Sequence, residues 1–353
     1  MNIIRYGLIG AGQIAYHAAR DIQSYTHSVA HAATDLNPER LAKLCQECEI
    51  ANHYPDSDAL IADPSIDAVY IAVPNKFHAS LAIQALQAGK HVILEKPFAM
   101  SAQEARAVVD TAEKTGKLFT VGMNQRFNES HQKIVALVED GYFGEIYHAK
   151  AFWNRRSGIP VLGTWFGRKD LAGGGCLNDV GVHFLDLCLY ALGRFDPVSV
   201  YGATYVKFGN RGLGEGKWGQ SDKTETVFDV EDFATALIRF EDGMTVALDA
   251  SWACHQETGN RNGIQLFGTE AGADVASAKV FRNDPLRAEY DIVENVRATP
   301  KYAHCSRFTN FTNAILGDEE LCVTPKQALA VQKILDAIQE SSRTGHEVLL
   351  DNA

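Results

Sequence analysis

Asp179 and His183 stand four positions apart and interrupt an otherwise apolar run that follows Gly173-Gly174-Gly175. At about 3.6 residues per turn, such positions share one face of a helix. The spacing therefore predicts a helix, opening from a glycine turn, that carries a carboxylate one turn from an imidazole. A carboxylate so placed can fix the ring tautomer and raise its basicity, which suits a general base near neutral pH. The same two residues could equally be hydrogen-bonded polar groups inside a core. A third candidate, Lys96, lies far upstream in Glu95-Lys96-Pro97, where an ammonium could stabilise negative charge developing on oxygen.

The elements that would position these groups follow a repeating pattern. Ile3 to Ile9 reads as a short apolar strand and runs into Gly10-Ala11-Gly12-Gln13-Ile14-Ala15. This is the GxGxxA form of the dinucleotide fingerprint. Gly10 allows the tight turn, Gly12 lets the backbone approach a pyrophosphate, and Ala15 lets the helix pack close to the strand. Gln13 and Ile14 open that helix beside the phosphates. Val29 to Thr34 is the next strand and ends in Asp35, at the distance where an acid meets ribose hydroxyls and repels a 2′-phosphate, so NAD is expected rather than NADP. Asp35 could instead cap the helix that Pro38 begins.

Ala68 to Val73, His91 to Leu94 and Leu118 to Val121 are further apolar runs of strand length, with helical stretches Ala79 to Ala88 and Ala102 to Thr115 between them. This alternation predicts a doubly wound parallel sheet with its ligand across the carboxyl ends of the strands. Gly12, Asp35, Pro74, Asn75, Glu95, Lys96 and Asn124 all fall at such ends.

Composition bounds the function classes. A chain of 353 residues exceeds what one core usually serves. The sequence is read as a dinucleotide-binding unit over 1–124 and a second unit over 125–353. A net charge of −11 argues against non-specific nucleic-acid binding, which needs a positive face. No apolar stretch reaches the length of a membrane span and no secretory signal is visible, so a cytoplasmic protein is expected. Seven scattered cysteines suit reduced thiols, and Cys45-x-x-Cys48 has no partner ligands at metal spacing. No metal is expected.

The Gly10 to Ala15 fingerprint, Pro74-Asn75 with His78, Glu95-Lys96-Pro97, and Asp179 with His183 after a glycine run together resemble the Gfo/Idh/MocA family of sugar and polyol dehydrogenases. The resemblance implies an α/β architecture: an N-terminal Rossmann domain, then a C-terminal α/β domain with an open, mostly antiparallel sheet. It also implies a homodimer or homotetramer formed through that sheet, and a role for His78 at the cofactor. Lys96, Asp179 and His183 match the family's catalytic residues without substitution, and Pro97 matches a proline that holds the lysine in place.

Hydride transfer from a carbinol carbon to nicotinamide requires loss of the hydroxyl proton as charge builds on oxygen. His183 would take that proton, Lys96 would stabilise the alkoxide, and Asp179 would orient the imidazole and balance the lysine. Two alternatives stay open. Some relatives sense the dinucleotide without turnover, and others cleave glycosides by oxidation and elimination.

Past residue 125 the pattern changes. Ile146 to Trp153 reads as a strand, followed by Asn154-Arg155-Arg156 and then Gly163-Thr164-Trp165-Phe166. Arg155, Arg156, Trp165 and Asn178 are the substrate candidates, since aromatic faces meet sugar C–H groups and guanidinium forks hold hydroxyls. The Arg-Arg-x-Gly-Ile-Pro and Trp-Phe features resemble a branch acting on hexosides and anhydrosugars, including oxidation at C3. Strands at Val198 to Phe208, Asp232 to Phe240, Thr245 to Ser251, Gly263 to Phe267 and Asp274 to Ala276 alternate apolar with polar residues, as in an antiparallel sheet with one covered face. Its other face is a candidate subunit interface. Gly209 to Lys223 is expected to be a mobile loop. Pro325 opens an amphipathic helix.

Overall fold

The structure is a computed structural model that describes residues 3–216, 218, 227–284, 289–293 and 296–350. Its first half alternates β1 (Ile4–Ile9), α1 (Gln13–Ser24), β2 (Ser28–Thr34), α2 (Pro38–Glu47), β3 (Asn52–His53), α3 (Ser57–Ala62), β4 (Ala68–Ile71), α4 (His78–Gln87), β5 (His91–Leu94), α5 (Ala102–Thr115) and β6 (Phe119–Val121). The strands form one parallel sheet in the order β3-β2-β1-β4-β5-β6. Every residue of β4 is buried, as expected of a parallel strand covered on both faces. Local chemistry sets the helix limits. Asn37 accepts from the backbone N–H of Glu39 and Arg40 ahead of Pro38, whereas α5 starts at a Ser101 cap and stops at left-handed Gly116.

The second half holds α6 (Glu129–Glu139), β7 (Ile146–Arg155), α7 (Lys169–Ala172), α8 (Val182–Leu192), β8 (Ser199–Tyr205), β9 (Phe233–Arg239), β10 (Thr245–Ser251), β11 (Asn260–Gly268), β12 (Gly272–Asp274), β13 (Lys279–Asp284) and β14 (Glu289–Val293). The described chain ends with α9 (Arg307–Leu316), α10 (Pro325–Thr344) and β15 (Val348–Leu349). These strands make a nine-stranded sheet, β14-β13-β12-β11-β7-β10-β9-β8-β15, antiparallel except where β7 meets β10. Register separates its two faces. Val200, Ile238, Val246, Ala149 and Leu266 pair across the sheet and are buried. The next row, Tyr201, Leu237, Ala247 and Lys150, lies on the open face, where Tyr201 and Leu237 are exposed.

The last segment does not stay with the second sheet. Phe308 and Phe311 of α9 pack against Tyr6 and Tyr70 of the parallel sheet, so the range 125–353 is not confined to one spatial unit. A fully buried bidentate pair, Arg126 with Asp186, ties the chain after β6 to α8 at 2.9 and 2.6 Å. The remaining guanidinium nitrogen donates to Cys322 O and Gln327 Oε1. Of the stretch read as a mobile loop, Gly209–Arg211 forms a helical turn and Glu215 bridges to Ile159. Residues 217 and 219–223 of it lie outside the described residues. No described helix is long and apolar enough to cross a membrane.

Candidate active site

A cleft of about 1190 Å³ runs along the carboxyl ends of the parallel strands and continues beneath the second sheet. Gly10, Gly12, Gln13, Ile14, Asp35, Pro74, Asn75, His78, Glu95, Lys96 and Asn124 line it together with Trp165, Asn178, Asp179 and His183. Two glycines test whether a dinucleotide fits. Gly10 has φ of +103°, and a Cβ there would sit 2.2 Å from Ala72 O, so only glycine closes the turn. A Cβ on Gly12 would meet nothing within 4 Å: that space is open to the cleft. Gly12 is also the N-cap of α1 and supplies no capping side chain, leaving the helix N–H groups available to a pyrophosphate. Asp35 holds this loop, accepting from Ala11 N at 2.6 Å and Asn37 N at 2.7 Å. The residues fit a dinucleotide.

At the other end, Lys96 Nζ donates to Asp179 Oδ1 at 2.7 Å and to Asp179 O at 2.8 Å. The second carboxylate oxygen, Oδ2, accepts from Trp252 Nε1 at 2.7 Å. Burial raises the Asp179 pKa, but the Lys96 charge and hydrogen bond, with Arg155 and Trp252, outweigh it and hold the group below its ordinary value. His183 lies on α8, one turn further on, and its Nδ1 is buried with no hydrogen-bond partner among the described residues. Burial first, and the Lys96 charge second, push its pKa down to about 3. The ring is therefore neutral at neutral pH.

The turn that carries these groups is held from behind. Glu231 Oε1 accepts from Gly175 N at 2.7 Å and Leu177 N at 3.0 Å, and a Cβ on Gly175 would fall 2.0 Å from Glu231 O. Leu177–Gly181 then forms a π-helical turn rather than the α-helix expected from the sequence, a local widening that recurs at functional sites. The neighbouring Asp232 O accepts from Trp252 N, which places the indole against Asp179.

Residues 4–123 match the family profile "Oxidoreductase family, NAD-binding Rossmann fold", and residues 131–274 match the "GFO/IDH/MocA C-terminal domain". The chain belongs to the Gfo/Idh/MocA family of NAD-binding oxidoreductases. It is 30% identical to D-glucoside 3-dehydrogenase of Escherichia coli (strain K12) over 353 residues, covering 98% of this chain and 97% of that one. It is 29% identical to levoglucosan dehydrogenase of Pseudarthrobacter phenanthrenivorans over 299 residues, covering 76% and 73% of the two chains. A solved levoglucosan dehydrogenase, in complex with NADH and levoglucosan, shares the fold with a TM-score of 0.84 at 22% identity, covering 99% of each chain.

Within this family member, several side chains differ in placement from the sequence reading. Asp179 does not hydrogen-bond His183; its oxygens accept from the Lys96 ammonium, in an ion-paired bond, and from the Trp252 indole N–H. Both His78 nitrogens face carbonyls, Pro97 O at 2.8 Å and Val73 O at 2.9 Å, so the ring joins two strand-end loops rather than offering a free donor to a cofactor. Asn75 Nδ2 donates to Ala172 O across to the second half of the chain. Glu95 accepts from Tyr70 and from Arg307. Arg156 is exposed, donates to Glu257 O, and does not line the cleft. Arg155 does not line the cleft either, and its guanidinium lies over the rings of Trp153 and Trp218, of which Trp218 does line it. Trp165 lines the cleft stacked on Phe166, and Asn178 Oδ1 accepts from Gln339 Nε2 at 3.4 Å.

Trp252, Glu231 and Arg307 were missed. Each is a single residue in a stretch without a motif, and the turn or strand end it supports is more than 50 residues away in sequence. Arg307 also donates to Gly122 O at 3.0 Å, which brings α9 to the ends of the parallel strands.

Proposed function

We propose that the protein oxidises a secondary carbinol of a sugar, glycoside or cyclic polyol with NAD, and reduces the ketone in reverse. C3 of a hexoside is the favoured position, in keeping with the D-glucoside 3-dehydrogenase relative. The observation that carries this reading is the meeting, at one end of a dinucleotide-shaped cleft, of Lys96 held by Asp179 with an unprotonated His183.

When bound, nicotinamide accepts a hydride from the carbinol carbon. Lys96 spends two N–H donors on Asp179, leaving the remaining one for the carbinol oxygen, where negative charge develops. His183 takes the hydroxyl proton. In the free site the Lys96 charge disfavours the imidazolium. An alkoxide forming against Lys96 offsets that charge, so proton acceptance by His183 and charge build-up on oxygen assist each other. Asp179 balances the lysine, and Trp252 fixes the carboxylate. Asp35 selects NAD because its carboxylate would repel a 2′-phosphate. Copies of the chain associate through the open face around Tyr201 and Leu237, and the particle mass in solution reads that association.

A panel of hexosides, anhydrosugars and inositols assayed for NADH formation, with product mass, tests the reading. A ketosugar formed in step with NADH is expected. NAD binding without NADH from any member would overturn it, and released aglycone without net NADH would assign glycoside cleavage instead.

A further inference from the structure

Arg155 is a half-buried cation without an anionic partner among the described residues. Of its N–H donors only one is used, in a 3.5 Å contact with Gly158 O. Its Cζ lies instead over two aromatic rings, 4.5 Å from the Trp153 ring centre and 5.2 Å from that of Trp218. Trp218 is itself fixed by Nε1–H donation to Gly158 O at 2.8 Å and lines the cleft, and Trp153 lies 5.8 Å from the His183 ring. Asp179, the acid whose charge bears on Arg155, has both oxygens committed to Lys96 and Trp252.

Two indole rings close to a guanidinium restrict its orientation, and the forked N–H donors of such a group match two neighbouring oxygens rather than one. None of its nitrogens is both fully buried and unpartnered, so the unused donors remain open to a ligand that supplies acceptors. We propose that Arg155 is the specificity-determining residue of the reaction proposed above. In this role its edge receives a pair of adjacent oxygens on the substrate ring, either vicinal hydroxyls or a carboxylate, and thereby sets which carbinol reaches Lys96 and His183. The inference rests on the sugar-dehydrogenase reading and narrows it: a lone alcohol on an otherwise apolar ring does not satisfy Arg155 and is rejected.

The test uses the NAD-loaded full chain with methyl glucoside, its 2-deoxy, 4-deoxy and 6-deoxy analogues, and methyl glucuronide. Binding is followed by tryptophan fluorescence and turnover by NADH. Wild type should prefer one oxygen pair by on the order of 10²-fold or more over the probe lacking one member of it. Arg155→Met should bring that ratio close to one, and Arg155→Lys, a point charge without the fork, should reduce it. A preference for the glucuronide that vanishes in Arg155→Met identifies a carboxylate, whereas a deoxy penalty that vanishes identifies vicinal hydroxyls. A variant that lowers activity on all probes alike, with unchanged ratios, overturns the proposal. If Arg155→Met does not fold, an unchanged ratio in Arg155→Lys does the same. The ratios are also read from binding, so absent turnover counts against the dehydrogenase reading and leaves the role of Arg155 decided separately.

Discussion

Replacing Lys96 by Met removes the ammonium while keeping an unbranched stem of similar length. The structure sets the size of the loss. Two donors of Nζ are occupied by Asp179, so one charge-assisted hydrogen bond remains to act on the carbinol oxygen. A single donor aimed at developing negative charge is worth about 3–4 kcal/mol, so kcat should fall about 10²–10³-fold. The glycine turn, the N-terminus of α1 and Asp35 lie at the other end of the cleft, so the dissociation constant for NAD should change less than threefold or so. A second readout comes from His183. With the Lys96 charge gone, its pKa should rise from about 3 yet stay below 6.5, because burial, the larger cause, remains. The assay is steady-state kinetics on the best glycoside, NAD titration by fluorescence, and NMR titration of the imidazole. A Lys96→Met enzyme with kcat within tenfold of wild type, or a His183 pKa that does not move, would refute the reasoning.

Asp35→Ser should raise kcat/KM with NADP relative to NAD by about tenfold or more, since the repelling carboxylate is lost, and kinetics with both dinucleotides check it. Arg126→Met leaves Asp186 buried and unpaired, so stability should drop by about 3–5 kcal/mol in denaturant unfolding. The ionisation of His183 ties stability to pH. Its folded pKa lies near 3 and its ordinary value is 6.5, so the unfolded chain binds the proton first and stability should fall as pH drops from about 6.5 towards 3. His91, held down to about 4 by burial and then by Lys117, acts in the same direction. A His183→Asn variant whose stability falls just as steeply over that window would contradict the linkage.

The parallel sheet was legible because its signals are local. A strand ending in Gly10-x-Gly12, another ending in Asp35 and a third ending in Glu95-Lys96-Pro97 each state where a strand stops, and parallel topology brings those stops to one edge. The meeting of Lys96 with Asp179 and His183 was implied by the family resemblance alone, since no spacing relates positions so far apart. What sequence did not carry was which partner each group takes. Asp179 and His183 share a helical face, which favours pairing them, yet the carboxylate bonds a lysine and an indole from distant segments. Arg155 and Arg156 are indistinguishable as letters. They point apart because β7 ends at Arg155 and Arg156 N pairs with Gly259 O instead. The short strands β13, β14 and β15 have no turn motif or strong alternation to announce them, and they form by completing an existing sheet edge.

Catalysis as proposed needs two side chains from opposite halves of the sequence to act on one substrate oxygen. The most direct measurement is a crystal structure of the ternary complex with NAD and an unreactive glycoside analogue that retains the carbinol. The carbinol oxygen is expected within hydrogen-bond reach of both Lys96 Nζ and a His183 ring nitrogen, with the dinucleotide phosphates over Gly12. A sugar seated with no hydroxyl near either group, or a dinucleotide that leaves Lys96 out of reach of the substrate, would contradict it.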